Sequence, residues 1–333
     1  MPTEFPLSPS TPAALNFRPR PLADLDKLIR THIEDMRYPG CQIALARNGQ
    51  LALYRTYGDA RVDPEEVAAV DDTLWLLFSN TKVLTTAAVW SLVEDGTLSF
   101  HDRVADHIPE FAAHGKDEIT LFQLATHQAG FPSANVSRDS WADHARMRAE
   151  VCEFQPEWPA GSKLHYHGRS AHLTLAMVIE AVTGRDFREV IRERVIGPLG
   201  LVDELFVGVP PEEQQRCADV YAPPDSEARD NSPEFRAAGL PHGGGFGTAR
   251  AMAGIPMHRG IGPHSRGTGG RIRGLGSIAA PATFGHGGVG TSYCWADPTS
   301  GVSFAYLTNF VQPDPWHSAR LDRISNLVHA AIE

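Results

Sequence analysis

The feature that most constrains this chain is that its two ends carry the same pattern. Near the start, Cys41-Gln-Ile-Ala-Leu-Ala-Arg47 and Leu51-Ala-Leu-Tyr-Arg-Thr-Tyr57 flank Asn48-Gly49, two strand-like runs around a tight turn. Near the finish, Thr291 to Ala296 and Val302 to Thr308 flank Asp297-Pro-Thr-Ser-Gly301, a second hairpin. Outside the first lies an amphipathic helical spacing, Leu22, Leu25, Ile29, Ile33 and Met36, which stops before Pro39-Gly40. Outside the second, a helix is expected from about Ser318 to Ile332. Two hairpins and two helices, one set from each end, imply one antiparallel sheet with the helices packed on a face. Residues 21–78 and 280–333 are thus read as one α/β domain of α+β type, preceded by an extended arm over residues 1–20, rich in proline, serine and threonine.

The middle has a different period. Residues 79–95, 120–128, 168–183 and 186–197 read as helices, with Gly96 and Gly184 where C-terminal caps belong and Pro198 where the last must end. Residues 79–279 form a mainly helical domain in this reading, inserted into the sheet domain with a cleft between them. Sixteen of the thirty glycines lie between Pro241 and Gly290, so the stretch 241–279 is expected to be partly mobile loop. Its glycines match neither G-x-G-x-x-G after a strand nor G-x-x-x-x-G-K-[ST], so no phosphate loop is indicated.

Composition narrows the function. A formal charge of −10 disfavours nucleic acid and anionic membrane as partners, since both require a basic surface. Cys41, Cys152, Cys217 and Cys294 have no paired spacing, so neither a zinc site nor a disulfide framework is indicated. No apolar run approaches a membrane span and the N-terminus lacks signal-peptide order, which predicts a cytoplasmic protein. Neither cofactor nor metal is expected, and nothing in the sequence sets an oligomeric state.

Ser79-Asn80-Thr81-Lys82 falls on the boundary between the two regions, after the apolar run Leu74-Trp-Leu-Leu-Phe78. Serine and lysine three apart at a helix start share a face, and the serine N–H is one of the unpaired donors there. A lysine buried at that point can lose its proton near neutrality and activate the hydroxyl, the chemistry of S-x-x-K acyl-transfer enzymes. Such an enzyme needs a second proton-transfer group and a second oxyanion donor. Tyr166, presented before a helix start, is a candidate for the first, its phenolate favoured by a nearby lysine charge. Phe284-Gly-His286-Gly-Gly-Val289 is a candidate for the second, because its glycines let a strand N–H approach a ligand closely.

Ser79-Asn-Thr-Lys82, Tyr166-His-Gly168 and His286-Gly-Gly288 come in the order of the three motifs of the serine β-lactamase/penicillin-binding-protein superfamily. The connecting stretches Ile119–Phe131, Val178–Gly184, Ile196–Leu201 and Trp295–Gly301 resemble its class C β-lactamase-related, family VIII carboxylesterase-like branch, over roughly residues 25–330. The resemblance implies a β-lactamase/transpeptidase-like fold: an antiparallel sheet flanked by terminal helices, plus a mainly helical domain. It implies Ser79 as nucleophile, Lys82 and Tyr166 as general base and acid, and the backbone N–H groups of Ser79 and Val289 as oxyanion hole. His286, Gly287, Gly288, His167 and Gly168 would line the substrate. Two departures favour a small neutral ester over a β-lactam or peptide: Gly168 replaces an asparagine amide, and His286 replaces a permanently charged lysine. The segment from Gly243 to His286 also looks short beside relatives, which would open one wall of the cleft.

The same machinery fits a β-lactamase, a D-amino-acid amidase or peptidase, or an acyltransferase. A metal-dependent hydrolase built on His165, His167 and His172 lacks matched carboxylates, and a non-catalytic ligand-binding homologue has no need of Ser79, Lys82 and Tyr166 together. No G-x-S-x-G elbow supports a Ser-His-Asp triad.

Overall fold

The computed structural model describes residues 7–224, 230–255, 264–267 and 274–333. Strands from both ends of the chain share one sheet, and His264–Ser265, from the stretch 241–279 expected to be loop of the helical domain, adds a strand at its far edge. Its main path runs Ser8–Pro9, Gln50–Arg61, Gly40–Arg47, Val302–Thr308, Tyr293–Asp297, Phe284–Gly287, His264–Ser265, with Val67–Ala68 paired to the side. All neighbours are antiparallel except the first pair. Asn48 and Gly49 both take left-handed φ, 51° and 77°, as a two-residue hairpin turn between right-twisting strands requires.

Side-chain alternation sorts the sheet into two faces. Ile43, Leu45, Phe304, Tyr306, Tyr293 and Trp295 point to one side and join Leu22, Leu25 and Ile29 of helix Pro19–Glu34 and Leu321, Ile324 and Val328 of helix Trp316–Ala331 in one buried cluster. The small residues Ala44, Ala46, Ala305 and Cys294 point the other way, into the core shared with the helical region. Their size lets helix Ala249–Gly254 lie close against the strands. The Ala249 N–H donates to Gln42 Oε1 at 2.7 Å and Ser303 Oγ donates to the Ala253 carbonyl at 2.7 Å.

The first helix ends sooner than its apolar spacing predicts. Glu34 is its last residue; Met36 adopts φ 54° and is 88% exposed, while the Met36 and Arg37 N–H groups close the helix end on the Ile33 and His32 carbonyls. Met36 therefore belongs to the turn that aims Tyr38 into the core, not to the apolar stripe. Within the expected arm, Ser8–Pro9 pairs beside Gln50–Leu51 and Phe17 is buried against the terminal helices, so residues 8–17 are docked along the sheet domain. Of the glycine-rich stretch expected to be mobile, 256–263 and 268–273 lie outside the described residues, as does part of the segment read as shortened.

In the helical region the segment bearing Ser79 continues into helix Thr81–Glu94, which packs on helix Ser170–Thr183. The helix expected over 186–197 is Phe187–Ile191 continued by a π turn over Arg192–Ile196, and Pro198 then lies within a short 3-10 turn, Gly197–Leu199. A small three-stranded sheet, Trp75–Leu76, Gly245–Gly247 and Leu205–Val207, joins this region to the segment leading into Ser79. No helix among the described residues is long and apolar enough to cross a membrane.

Candidate active site

Ser79 is held by the edge of that small sheet. Trp75 and Leu76 pair with Gly247 and Phe246, and the Leu77 N–H donates to the Gly245 carbonyl at 2.8 Å. Phe78 then turns the chain with φ 46°, a left-handed conformation that an aromatic residue rarely adopts and that tertiary contacts must hold. Ser79 follows in a 3-10 turn, Phe78–Asn80, that runs straight into helix Thr81–Glu94. Asn80 Nδ2 donates to the Leu77 carbonyl and to Ser292 Oγ, both at 3.2 Å, and Thr81 Oγ1 accepts the Gly245 N–H at 2.9 Å. These bonds fasten the turn on three sides. The Ser79 N–H has no backbone acceptor among the described residues.

Lys82 is completely buried, with Nζ 3.0 Å from Ser79 Oγ and 2.7 Å from the His242 carbonyl oxygen, to which it donates. Burial, and secondarily the positive charge of Arg169, lowers its pKa to about 7. Near neutrality a substantial fraction of this amine is unprotonated, with a lone pair for the serine proton.

Tyr166 lines the same cavity as the serine, close enough for the Ser79 side chain to act on its phenol, with its ring 5.3 Å from Lys82 Nζ. Here the sequence expectation is corrected. Desolvation of the phenol raises the Tyr166 pKa, outweighing the opposing effect of Ser79, so the lysine and not the phenol is the group that titrates near pH 7. His127, in a loop with φ 60°, lays its ring 4.7 Å from that of Tyr166; burial drives its pKa to about 3, so it is a neutral wall for the phenol.

His167 is fully buried and not a cavity residue, which corrects its expected contact with substrate. Its Nε2 accepts the Phe131 N–H at 3.2 Å and its Nδ1 donates to the His165 carbonyl at 2.6 Å, leaving no free ring atom. His165 turns outward against Trp158, and His172 turns inward to Thr86 Oγ1, so the three histidines considered as a metal set face different neighbours. A cluster that could hold a cation lies elsewhere, at His144, Glu180 and Asp186. Its carboxylates already serve Arg188 and the start of helix Phe187–Ile191.

The third motif reaches the site as the strand Phe284–Gly287 and the turn after it. A Cβ on Gly288 would lie 2.9 Å from the Leu77 carbonyl oxygen, 3.1 Å from Phe78 Cβ and 2.6 Å from Ser292 Oγ. Glycine is needed there so that the turn can press against the segment entering Ser79. Val289 follows on the wall of the same cavity as Ser79, and its N–H also has no backbone acceptor among the described residues. His286 is 2% exposed and stands behind this wall. It stacks on His264 at 4.7 Å and lies 6.3 Å from the Tyr166 ring, and burial pushes its pKa well below the usual histidine value. Its imidazole is neutral, so it does not restore the charge that a lysine would carry.

These groups open onto a cavity of about 700 Å³, lined by Ser79, Tyr166, Gly168 and Val289 with apolar walls from Phe78, Trp141, Phe235 and Leu240. Nothing lies within 4 Å of where a Gly168 Cβ would be, so this residue opens the cavity where an asparagine would fill it. Phe78, His127, His242 and Arg169 were not singled out in the sequence. Only the position of His242 beside the glycine run hints at a carbonyl close to Lys82.

Residues 25–328 match the family model described as Beta-lactamase. The chain belongs to this Beta-lactamase family. Among solved structures, this family member superposes on a penicillin-binding protein homolog from Caulobacter crescentus with TM-score 0.79 and 26% identity, covering 95% of this chain and 99% of the other. A family VIII carboxylesterase gives TM-score 0.78 at 23% identity, over 95% and 98% of the two chains. EstA from Arthrobacter nitroguajacolicus Rue61a gives TM-score 0.74 at 20% identity, over 94% and 98%. The last two show the shared fold. By sequence, Protein flp of Staphylococcus aureus strain N315 is 28% identical over 189 residues, 55% of this chain and 38% of that protein. The chain spans about half the length, or less, of the curated relatives it matches. The superfamily is one of serine hydrolases that work through an acyl-enzyme.

Proposed function

We propose that this Beta-lactamase family member is a carboxylesterase for small carboxylic esters. The observation that carries the reading is a lysine with a pKa of about 7 whose Nζ is 3.0 Å from the hydroxyl of Ser79, with the Tyr166 ring 5.3 Å from that amine on the wall of the same cavity. Ser79 Oγ attacks the ester carbonyl carbon as neutral Lys82 takes its proton. The carbonyl oxygen becomes an oxyanion between the N–H groups of Ser79 and Val289. Collapse breaks the bond to the alkoxy oxygen, which leaves as the alcohol after receiving a proton through Tyr166 and Lys82. Water then enters by the same route in reverse roles and releases the acid.

Ester rather than β-lactam is supported by what the second and third motifs lack. Gly168 presents no side-chain amide, and neutral His286 lies behind the wall. One neutral and one charge-assisted contact fewer amount to roughly 2–4 kcal/mol, or about thirty- to a thousandfold in selectivity. Expected is hydrolysis of p-nitrophenyl butyrate, with kcat/KM for nitrocefin at least tenfold lower. Intact-mass measurement should find the acyl group on the wild type and none on Ser79→Ala, whose kcat should fall by several orders of magnitude. A nitrocefin value equal to the ester value returns the protein to the β-lactamases, and a Ser79→Ala variant keeping a tenth of kcat removes the nucleophile assignment.

A further inference from the structure

Resting on that esterase reading, we propose that Arg169 is a substrate-specificity residue: its guanidinium receives a carboxylate carried by the ester. Arg169 lines the same cavity as Ser79 and Tyr166, directly after the opening left by Gly168. Its side chain is exposed, and its guanidinium makes no hydrogen bond or ion pair among the described residues. Asp230, the other charged residue on the wall, is engaged by Arg138 at 3.4 Å and accepts the Ser232 N–H at 2.9 Å.

The position is costly for a cation. Arg169 is the N-cap residue of helix Ser170–Thr183, where the helix dipole favours negative charge and Ser, Thr, Asp or Asn would cap the free N–H groups. It also stands near enough to buried Lys82 and His242 for its charge to lower both their pKa values, although burial is the larger cause in each. Stability alone selects against an arginine at this point. An anion arriving in the cavity reverses the electrostatic objection, because it neutralises the guanidinium. The protein carries a formal charge of −10, so an anionic substrate gains nothing from long-range steering and needs such a local cation. The apolar walls from Trp141, Phe235 and Leu240 suit a short hydrocarbon segment between the ester and the acid. The substrate class is thus an ester bearing a free carboxylate, such as the half-ester of a short dicarboxylic acid.

Two matched pairs test this: p-nitrophenyl butyrate against p-nitrophenyl hydrogen glutarate, with the charge on the acyl side, and 4-acetoxybenzamide against 4-acetoxybenzoate, with it on the alcohol side. In at least one pair the wild type should favour the anion by tenfold or more in kcat/KM, chiefly through KM. That preference should shrink as salt rises from 20 mM to 500 mM, and Arg169→Gln should bring the ratio to about one. A wild-type ratio at or below one in both pairs overturns the proposal, with no variant needed, while leaving the esterase reading intact. A preference that survives Arg169→Gln overturns the assignment to this residue. Failure to hydrolyse any of the four esters removes the esterase reading itself, and the proposal with it.

Discussion

Lys82 draws its chemistry from where it is buried. A lysine in water holds its proton far above neutrality, and here the same side chain is lowered to about 7 with a carbonyl and a hydroxyl as its hydrogen-bond partners. The rate should follow that group. kcat/KM is expected to rise about tenfold per pH unit below pH 7 and to level off above it, because the unprotonated amine is the active form in the proposed mechanism. A rising limb centred near pH 9–10 would instead make Tyr166 the titrating base. Stability carries the same signature. The folded pKa lies below the unfolded one, so between pH 7 and about 10.5 the unfolded chain binds more protons at this site and stability rises with pH. At pH 6 the burial of this charge costs roughly 4–5 kcal/mol, a cost that fades as the pH approaches 10.5. Lys82→Met should therefore unfold at higher urea than the wild type at pH 6, by about 2 kcal/mol or more, with the gap narrowing at pH 10. A gap independent of pH would mean that the amine is not held in its buried position.

At the scale of elements, the site depends on a meeting between the turn after strand Phe284–Gly287 and the turn Phe78–Asn80. The contact is close enough that Gly288 has no room for a methyl group. Gly288→Ala is expected to push the turn outward and to misplace the Val289 N–H, lowering kcat at least tenfold with a smaller change in KM, and costing about 1–3 kcal/mol in stability. Steady-state kinetics and urea unfolding on one preparation check both; unchanged kcat would mean that Val289 does not serve the oxyanion. The motif order made this meeting readable in advance, since His286-Gly-Gly288 was expected beside Ser79. What it could not convey is that His286 turns behind the wall and His167 into the core. A histidine next to a motif has the same one-dimensional address whether it faces substrate or packs against Phe131.

For the molecule as a whole, the two ends of the chain stabilise each other. Asn309, just past strand Val302–Thr308, is buried and accepts the Gly40 N–H at 2.8 Å while donating to the Asp59 and Ala60 carbonyls at 3.0 and 3.2 Å. Asn309→Ala would leave these buried backbone groups unpaired across the junction of the two hairpins, a loss of about 3 kcal/mol. Urea unfolding should register it without a change in the acyl-enzyme mass of the folded fraction, and a loss under 1 kcal/mol would show that the groups find other partners. The strands, the first hairpin and the three motifs were legible in one dimension, because strand alternation, the Asn48-Gly49 turn and the Ser79–Lys82 spacing act over a few residues. Which groups carry charge in the cavity follows from the folded surroundings alone. The lowered pKa of Lys82, the raised one of Tyr166, the neutrality of His286 and the exposure of Arg169 all depend on what surrounds each side chain. Those surroundings come from segments far apart in the chain, so desolvation cannot be read from spacing.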